Sequence, residues 1–335
     1  MSALHLASIE ERLEATGLKG KHLEFLTDLT SDQLHALFES AYMIEPFSRT
    51  GLNLMQGRNM TSLFFQPSTR TRFSMEVAML RLGGTVISES SPGTNSSAAK
   101  GESLADHLIT ASCYSNIIAL RHPNYEVVKE ALPAARVPVI SCGWGNETHP
   151  TQGLLDLYTA YRAFGNQIEG LRVCLASPDM SRGRAAHSFA MGLAQLGAQV
   201  TYFCTSENPV PQLVLDKLKT AGSRFTLVED GSHQDFLDLL AEHDLCYFPG
   251  CCVPKDNPAE RDAFMHGLKP FYITLEECKK LSSGRSRPLG VMHALPRNDC
   301  EFDLAIDGSD HELYFKQMAF SVPIRMALTA AMVGL

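Results

Sequence analysis

The sequence predicts an α/β protein of two domains, each a mostly parallel sheet flanked by helices, the two joined by bridging helices. Three observations carry this. Short apolar runs alternate with helix-period segments along most of the chain, as parallel strands with crossover helices require. The 335 residues, 44% of them hydrophobic, suffice for two cores. The strand-like runs also fall into two groups, separated by one helical segment from Thr151 to Phe164. Residues 1–150 therefore form the expected first domain and 151–311 the second. A C-terminal helix over about 312–335 is expected to pack back on the first.

In the first domain, strands are predicted at Thr61–Phe65, Thr85–Ser88, Asn116–Leu120 and Val137–Ser141. Helices at Thr69–Leu82 and Glu102–Ala111 separate the early ones. The Ser/Gly/Ala-rich stretch Ser90–Lys100 reads as a mobile loop. In the second domain, strands are predicted at Leu171–Ala176, Gln199–Phe203, Arg224–Val228, Leu245–Phe248 and Leu289–His293. Their crossover helices are Gly183–Leu196, Gln212–Ala221 and Gln234–Glu242. The helical pattern from Glu312 to Val333 contains Pro323, which is expected to end or kink it.

Composition narrows the function. A formal charge of −8 and a pI near 5.8 argue against nucleic acid or an anionic membrane as the main partner, so cations must act locally. No apolar stretch reaches eighteen residues without interruption. Glu10, Glu11 and Arg12 stand where a signal sequence would be apolar, so a cytoplasmic protein is expected. Nine cysteines at irregular spacings, with no C-x-x-C or paired Cys/His pattern, fit reduced thiols rather than disulfides or zinc. The adjacent Cys251 and Cys252 read as small residues making room in a pocket or at a strand end.

The densest chemical signal is Phe65-Gln-Pro-Ser-Thr-Arg-Thr-Arg72, set where an apolar strand ends and an amphipathic helix begins. The first turn of a helix carries unpaired N–H groups and the positive end of the dipole, a natural anion site. Ser68 and Thr69 add hydroxyls there. Arg70 and Arg72 add guanidinium groups suited to bidentate phosphate contact. Further polar clusters lie at predicted strand ends or helix starts: Arg121-His-Pro123, His149-Pro-Thr-Gln152 and His293-Ala-Leu-Pro-Arg297. By contrast, the turn Ser177–Arg184 lacks the glycines of G-x-G-x-x-G, which argues against a dinucleotide.

Taken together, these motifs resemble those of the aspartate and ornithine carbamoyltransferases, most closely the aspartate branch. Ser68-Thr-Arg-Thr-Arg72 looks like the family's carbamoyl phosphate loop, and His149-Pro-Thr-Gln152 like its carbonyl-binding motif. His293-Ala-Leu-Pro-Arg297 is similar to the branch's His-Pro-Leu-Pro-Arg, with Ala294 in place of the first proline. The ornithine branch's Asp…Ser-Met-Gly loop is missing. Lys100-Gly-Glu102, preceded by Ser96, resembles the loop that family members lend to a neighbouring subunit. The resemblance covers Leu26 to the C-terminus.

That resemblance implies a reaction in which an amine attacks carbamoyl phosphate and phosphate departs, with no metal or other cofactor. Ser68, Thr69, Arg70, Thr71, Ser96 and Lys100 would hold carbamoyl phosphate at its phosphate end. Thr71, Arg121 and His149 would converge on the carbonyl oxygen as preorganised donors. Gln152 and the backbone carbonyls of Ala294 and Leu295 would hold the carbamoyl NH2. Arg70, Thr71, Arg121 and His149 are the catalytic set, and domain closure would complete the site. The expected partners are carbamoyl phosphate and a small amine or amino-acid acceptor, with no nucleic acid and no membrane. A homotrimer with shared active sites is expected.

The acceptor side departs from the aspartate branch. Arg184 matches one carboxylate-binding arginine, but Gly250 and Cys252 stand where the groups holding the second carboxylate belong. Loss of a charge-assisted hydrogen bond in a desolvated pocket costs about 1.5 to 3 kcal/mol, a tenfold or greater loss of affinity. Either Lys255 or Arg182 supplies the missing cation, or the acceptor carries a single carboxylate. The second reading is preferred, with Arg184, Gly250, Cys252 and Leu295 as the acceptor residues. Two readings stand against it: an authentic aspartate carbamoyltransferase of pyrimidine synthesis, and a non-catalytic carbamoyl-phosphate-binding protein. The latter has no use for Thr71, Arg121, His149 and Gln152 together.

Overall fold

The computed structural model describes residues 3–251, 253–254, 257–298 and 300–335. It divides into two compact units, residues 1–158 with 319–335, and residues 159–318.

In the first unit, helices α1 (Ala3–Ala15) and α2 (Ser31–Ile44) precede the sheet. Then follow β1 (Asn59–Phe64), α3 (Arg70–Arg81), β2 (Thr85–Glu89), the single turn α4 (Pro92–Asn95) and α5 (Leu104–Tyr114). The unit continues with β3 (Ile117–His122), α6 (Tyr125–Ala131), β4 (Val139–Trp144) and α7 (Pro150–Ala163), which runs into the second unit. All pairings in its sheet are parallel, in the order β2-β1-β3-β4. The central strands β1 and β3 are mostly buried, as is edge strand β4, which Leu23 bridges at Ile140, whereas edge strand β2 is largely exposed. This contrast is why the covered strands are apolar and the open edge β2 is not.

The second unit holds β5 (Arg172–Ala176), α8 (Arg184–Gln195), β6 (Gln199–Cys204), α9 (Gln212–Thr220), β7 (Phe225–Glu229) and α10 (His233–Ala241). Next come β8 (Leu245–Phe248), α11 (Pro258–Leu268), α12 (Leu275–Leu281) and β9 (Gly290–His293). Its sheet is also parallel, ordered β7-β6-β5-β8-β9. An aromatic core of Phe203, Phe236, Phe248, Phe271, Phe302 and Tyr314 packs on one face. In each sheet the chain reverses its direction of winding once, between β1 and β3 and between β5 and β8. The carboxyl ends of strands at such a reversal leave a crevice, and both candidate clusters follow these ends.

Two expectations fail. The helix α13 (Tyr314–Val333) is continuous through Pro323. A proline lacks the N–H that would reach the carbonyl four residues earlier, here Ala319, and that residue is where the chain passes from one unit to the other. The stretch Ser90–Lys100 is not an irregular loop. It winds into α4 and a 3-10 turn, Ser97–Lys100, whose cap is Ser96. None of the eight described cysteines forms a disulfide.

Candidate active site

Helix α3 opens directly after the β1 turn, with Arg70 as its first residue and Thr69 at the cap position. The Thr69 hydroxyl makes no capping bond, so it is not consumed by its own helix. Arg70 is exposed and Thr71 buried. Arg72 diverges from them, reaching Ser88 Oγ at 3.5 Å and lying over the Phe73 ring.

From the neighbouring strand end, Arg121 donates from Nη1 to the Cys142 carbonyl at 3.2 Å, while its Nε is buried without a hydrogen-bond partner. Burial lowers the Arg121 pKa from its ordinary value, Cys142 opposes, and the charge of Arg70 lowers it further. Burial lowers Arg70 as well. Two guanidinium groups that destabilise one another at a strand end are a place for an anion.

The third contribution comes from the start of α7. His149 is 6% exposed, with Nε2 lying 3.4 Å from Thr71 Oγ1 and Nδ1 lying 3.2 Å from Thr151 Oγ1. One turn later Gln152 donates from Nε2 to Asp156 Oδ1 at 2.8 Å, which leaves its carbonyl oxygen to accept from a ligand N–H. Arg325, fully buried on α13, feels the Asp156 charge and donates to the Thr151 carbonyl at 3.4 Å. Ser68 to Thr71, Arg121, His149 and Gln152 thus gather at one edge of one sheet. Ser96 is different: its hydroxyl donates to the Pro92 carbonyl at 2.7 Å and accepts from Ala98 N–H. Lys100 stands exposed.

In the second unit three adjacent strand ends supply the remaining residues. Arg184 is the first residue of α8, after β5, at the positive end of a twelve-residue helix. After β8, Gly250 adopts φ +87°, and a Cβ there would meet His293 Cε1 at 3.4 Å. After β9, Ala294 N–H donates to the Phe248 carbonyl at 3.0 Å, and Leu295 takes φ +55°, an uncommon conformation for a side chain of its size. Cys252 and Lys255 lie outside the described residues. Arg182 is exposed and turned towards Asp179.

Sequence reasoning missed Thr151, Asp156, Arg325 and Glu301. The last is a buried carboxylate that accepts from His293 Nε2 at 3.1 Å. The available signal was charge inside apolar helices: Asp156 four residues after Gln152, and Arg325 amid the apolar run of α13. Among the described residues, no group of three or more His, Cys, Asp or Glu is placed to hold a metal, and no helix is long and apolar enough to cross a membrane.

The carbamoyl-phosphate-binding domain of the aspartate/ornithine carbamoyltransferase family matches residues 21–162, and the family's aspartate/ornithine-binding domain matches residues 169–332. The chain belongs to this family. It is a carbamoyltransferase. It is 46% identical over 333 residues, 99% of this chain and 97% of the relative, to a ureidoglycine carbamoyltransferase of Rubrobacter xylanophilus. To the aspartate carbamoyltransferase catalytic subunit of Methanocella arvoryzae it is 34% identical over 314 residues, 94% of this chain and 97% of that one. The aspartate transcarbamoylase of Trypanosoma cruzi, solved in complex with carbamoyl phosphate, matches with a TM-score of 0.82 at 29% identity. That match covers 95% of this chain and 98% of that one.

Proposed function

We propose that this carbamoyltransferase transfers the carbamoyl group of carbamoyl phosphate to the amine of ureidoglycine, or of a close analogue with one carboxylate and one neutral polar arm. The observation that carries this is Gly250. The aspartate branch needs a guanidinium at that position, whereas here a residue without a side chain, in a left-handed conformation, packs against His293. Arg184 at the head of α8 suits a single carboxylate. The identity to a protein named for ureidoglycine, 46% against 34% for an aspartate catalytic subunit, points the same way.

In the reaction, the amine nitrogen attacks the carbonyl carbon and a C–N bond forms. The C–O bond to phosphate breaks, and phosphate leaves with that electron pair and takes up the proton the amine releases. With ureidoglycine the product is a diureidoacetate. Ser68, Thr69, Arg70 and Thr71 hold the phosphate end, assisted by Ser96 and Lys100 of a neighbouring copy. Thr71, Arg121 and His149 stabilise the developing oxyanion, a role that suits the unpartnered Arg121 Nε. Gln152, with its amide nitrogen tied to Asp156, and the Ala294 and Leu295 carbonyls receive the carbamoyl NH2.

A homotrimer is part of the same reading. On α3, Phe73, Val77 and Leu80 are exposed at helical spacing, and Ile87 is exposed on the β2 edge, an apolar surface suited to a second copy. The test is a ureido-product assay with carbamoyl phosphate and a panel of amines. Ureidoglycine is expected to turn over at least tenfold more efficiently than aspartate, and the reverse order would return the chain to pyrimidine synthesis.

A further inference from the structure

We infer that Glu301 is a specificity-determining residue: its carboxylate, buried behind the Gly250 turn, excludes acceptors that carry a second carboxylate. The inference rests on the single-carboxylate reading of the acceptor and names what enforces it. Glu301 is 4% exposed, and its two oxygens are held from three directions. Oε1 accepts from His293 Nε2 at 3.1 Å, while Oε2 accepts from Asn298 N–H at 2.6 Å and from Asn298 Nδ2 at 3.2 Å.

The charge on this cluster follows from the hydrogen bonds. His293 Nδ1 receives the Leu295 N–H at 2.7 Å, so it must present a lone pair, and the ring proton lies on Nε2, pointing at Glu301. The imidazole is therefore neutral and the carboxylate keeps its full charge. Burial acts to raise the Glu301 pKa, but its interactions with His293, then with Asn298 N–H and the Cys251 thiol, outweigh it and leave the group below its ordinary value. The Cys251 thiol is pushed up by burial and by the Glu301 charge, so it adds no thiolate. Among the described residues, the nearby cation Arg297 is committed to Asp307 and also meets the Tyr314 hydroxyl.

Gly250, at the position of the missing guanidinium, packs on this cluster: a Cβ on it would stand 3.4 Å from His293 Cε1 and 3.8 Å from His293 Nε2, the nitrogen that faces Glu301. Where the aspartate branch offers a positive group, this chain offers a fixed negative one. A second carboxylate would meet repulsion, whereas a neutral amide or ureido group would not.

The test compares two inhibitors with carbamoyl phosphate present: succinate, with two carboxylates, and succinamate, in which one is an amide. In the unmodified protein succinamate is expected to inhibit at about tenfold lower concentration than succinate, the size of a like-charge penalty at partly solvated separation. Glu301→Gln should close that gap to within about threefold while the inhibition constant for inorganic phosphate stays within twofold. An unchanged gap in folded Glu301→Gln, or succinate as the better inhibitor of the unmodified protein, would overturn the inference. If Glu301→Gln does not fold, Glu301→Leu serves as the second variant: it removes the same charge, and an unchanged gap in it refutes a charge effect. Turnover of ureidoglycine with an unchanged gap sinks only this inference, whereas rapid turnover of aspartate sinks the acceptor reading itself.

Discussion

Thr151 Oγ1 lies 3.2 Å from His149 Nδ1 and 3.3 Å from the Ser141 carbonyl, and it has one proton to give. If that proton goes to Ser141, the hydroxyl accepts from Nδ1–H and His149 Nε2 is a lone pair facing Thr71. If it goes to Nδ1, Nε2–H is a donor aimed where a carbonyl oxygen would lie. An oxyanion role for His149 requires the second arrangement or an imidazolium. His149→Ala should lose about 10² to 10³ in kcat while remaining folded. Thr151→Val removes the partner of Nδ1 and should cost roughly tenfold in kcat with little change in KM for carbamoyl phosphate. Steady-state kinetics beside thermal melting separate these effects, and an unaltered kcat in His149→Ala would remove the residue from the chemistry.

The charge of Arg70 lowers the affinity of Arg121 for a proton, so an anion beside both relieves repulsion as well as adding attraction. Arg70→Ala is expected to abolish measurable turnover. Arg121→Lys keeps the charge but loses the fork that reaches Cys142, and should retain phosphate inhibition better than kcat. If Arg70→Ala left rate and carbamoyl phosphate affinity within twofold, the phosphate would bind elsewhere.

Lys100 extends from a 3-10 turn, and the Ser96 hydroxyl is spent on that turn. Lysine is therefore the stronger candidate to serve a neighbouring site. Lys100→Ala and Arg70→Ala, each inactive alone, should regain part of the activity when mixed and allowed to exchange subunits. Full activity of a monomer at nanomolar concentration would rule out the shared site.

His187 is buried on α8, with Nε2–H donating to the Met180 carbonyl at 2.8 Å and Nδ1 unpartnered. Burial lowers its pKa to about 4. Unfolded, the same group titrates near 6.5, so between these values the unfolded chain binds the extra proton and stability falls as pH falls. The loss approaches about 3 kcal/mol by pH 4. Denaturant midpoints measured from pH 7 to 4 should fall less steeply in His187→Leu than in the parent. Parallel curves would mean that His187 does not titrate on unfolding.

The fold was legible because parallel strands buried on both faces read as apolar runs, and the inner strands β1, β3 and β6 are of that kind. Edge strand β7 is mostly exposed, yet its Phe225, Leu227 and Val228 kept it visible. Pro323 misled because local propensity says nothing about where one long helix passes between two units. At the candidate site, hydroxyls and guanidinium groups clustered in sequence announced themselves. The supporting partners did not: Arg325 meets Thr151 only once distant segments come together, and Thr151, Asp156 and Glu301 pair with near neighbours in sequence through side-chain geometry that the spacing alone does not fix.

Aspartate should be a poor acceptor, and restoring the missing arginine should not rescue it. Gly250 sits at φ +87°, where any side chain is strained, and its Cβ position is 3.4 Å from the His293 ring. Gly250→Arg must therefore distort the β8 turn before its guanidinium reaches the pocket, at a cost of about 1 to 3 kcal/mol for the backbone alone. Once there, the guanidinium faces Glu301 across the His293 ring, and pairing with that carboxylate competes with holding the acceptor's own. A bisubstrate analogue joining phosphonoacetate to aspartate should bind the unmodified protein weakly, and Gly250→Arg should not strengthen it more than about threefold. The double variant with Glu301→Gln frees the new guanidinium from that competitor and should bind the analogue more tightly than either single variant. Micromolar KM for aspartate with rapid turnover in the unmodified protein, measured by ureido-product formation, would contradict the whole assignment of the acceptor pocket.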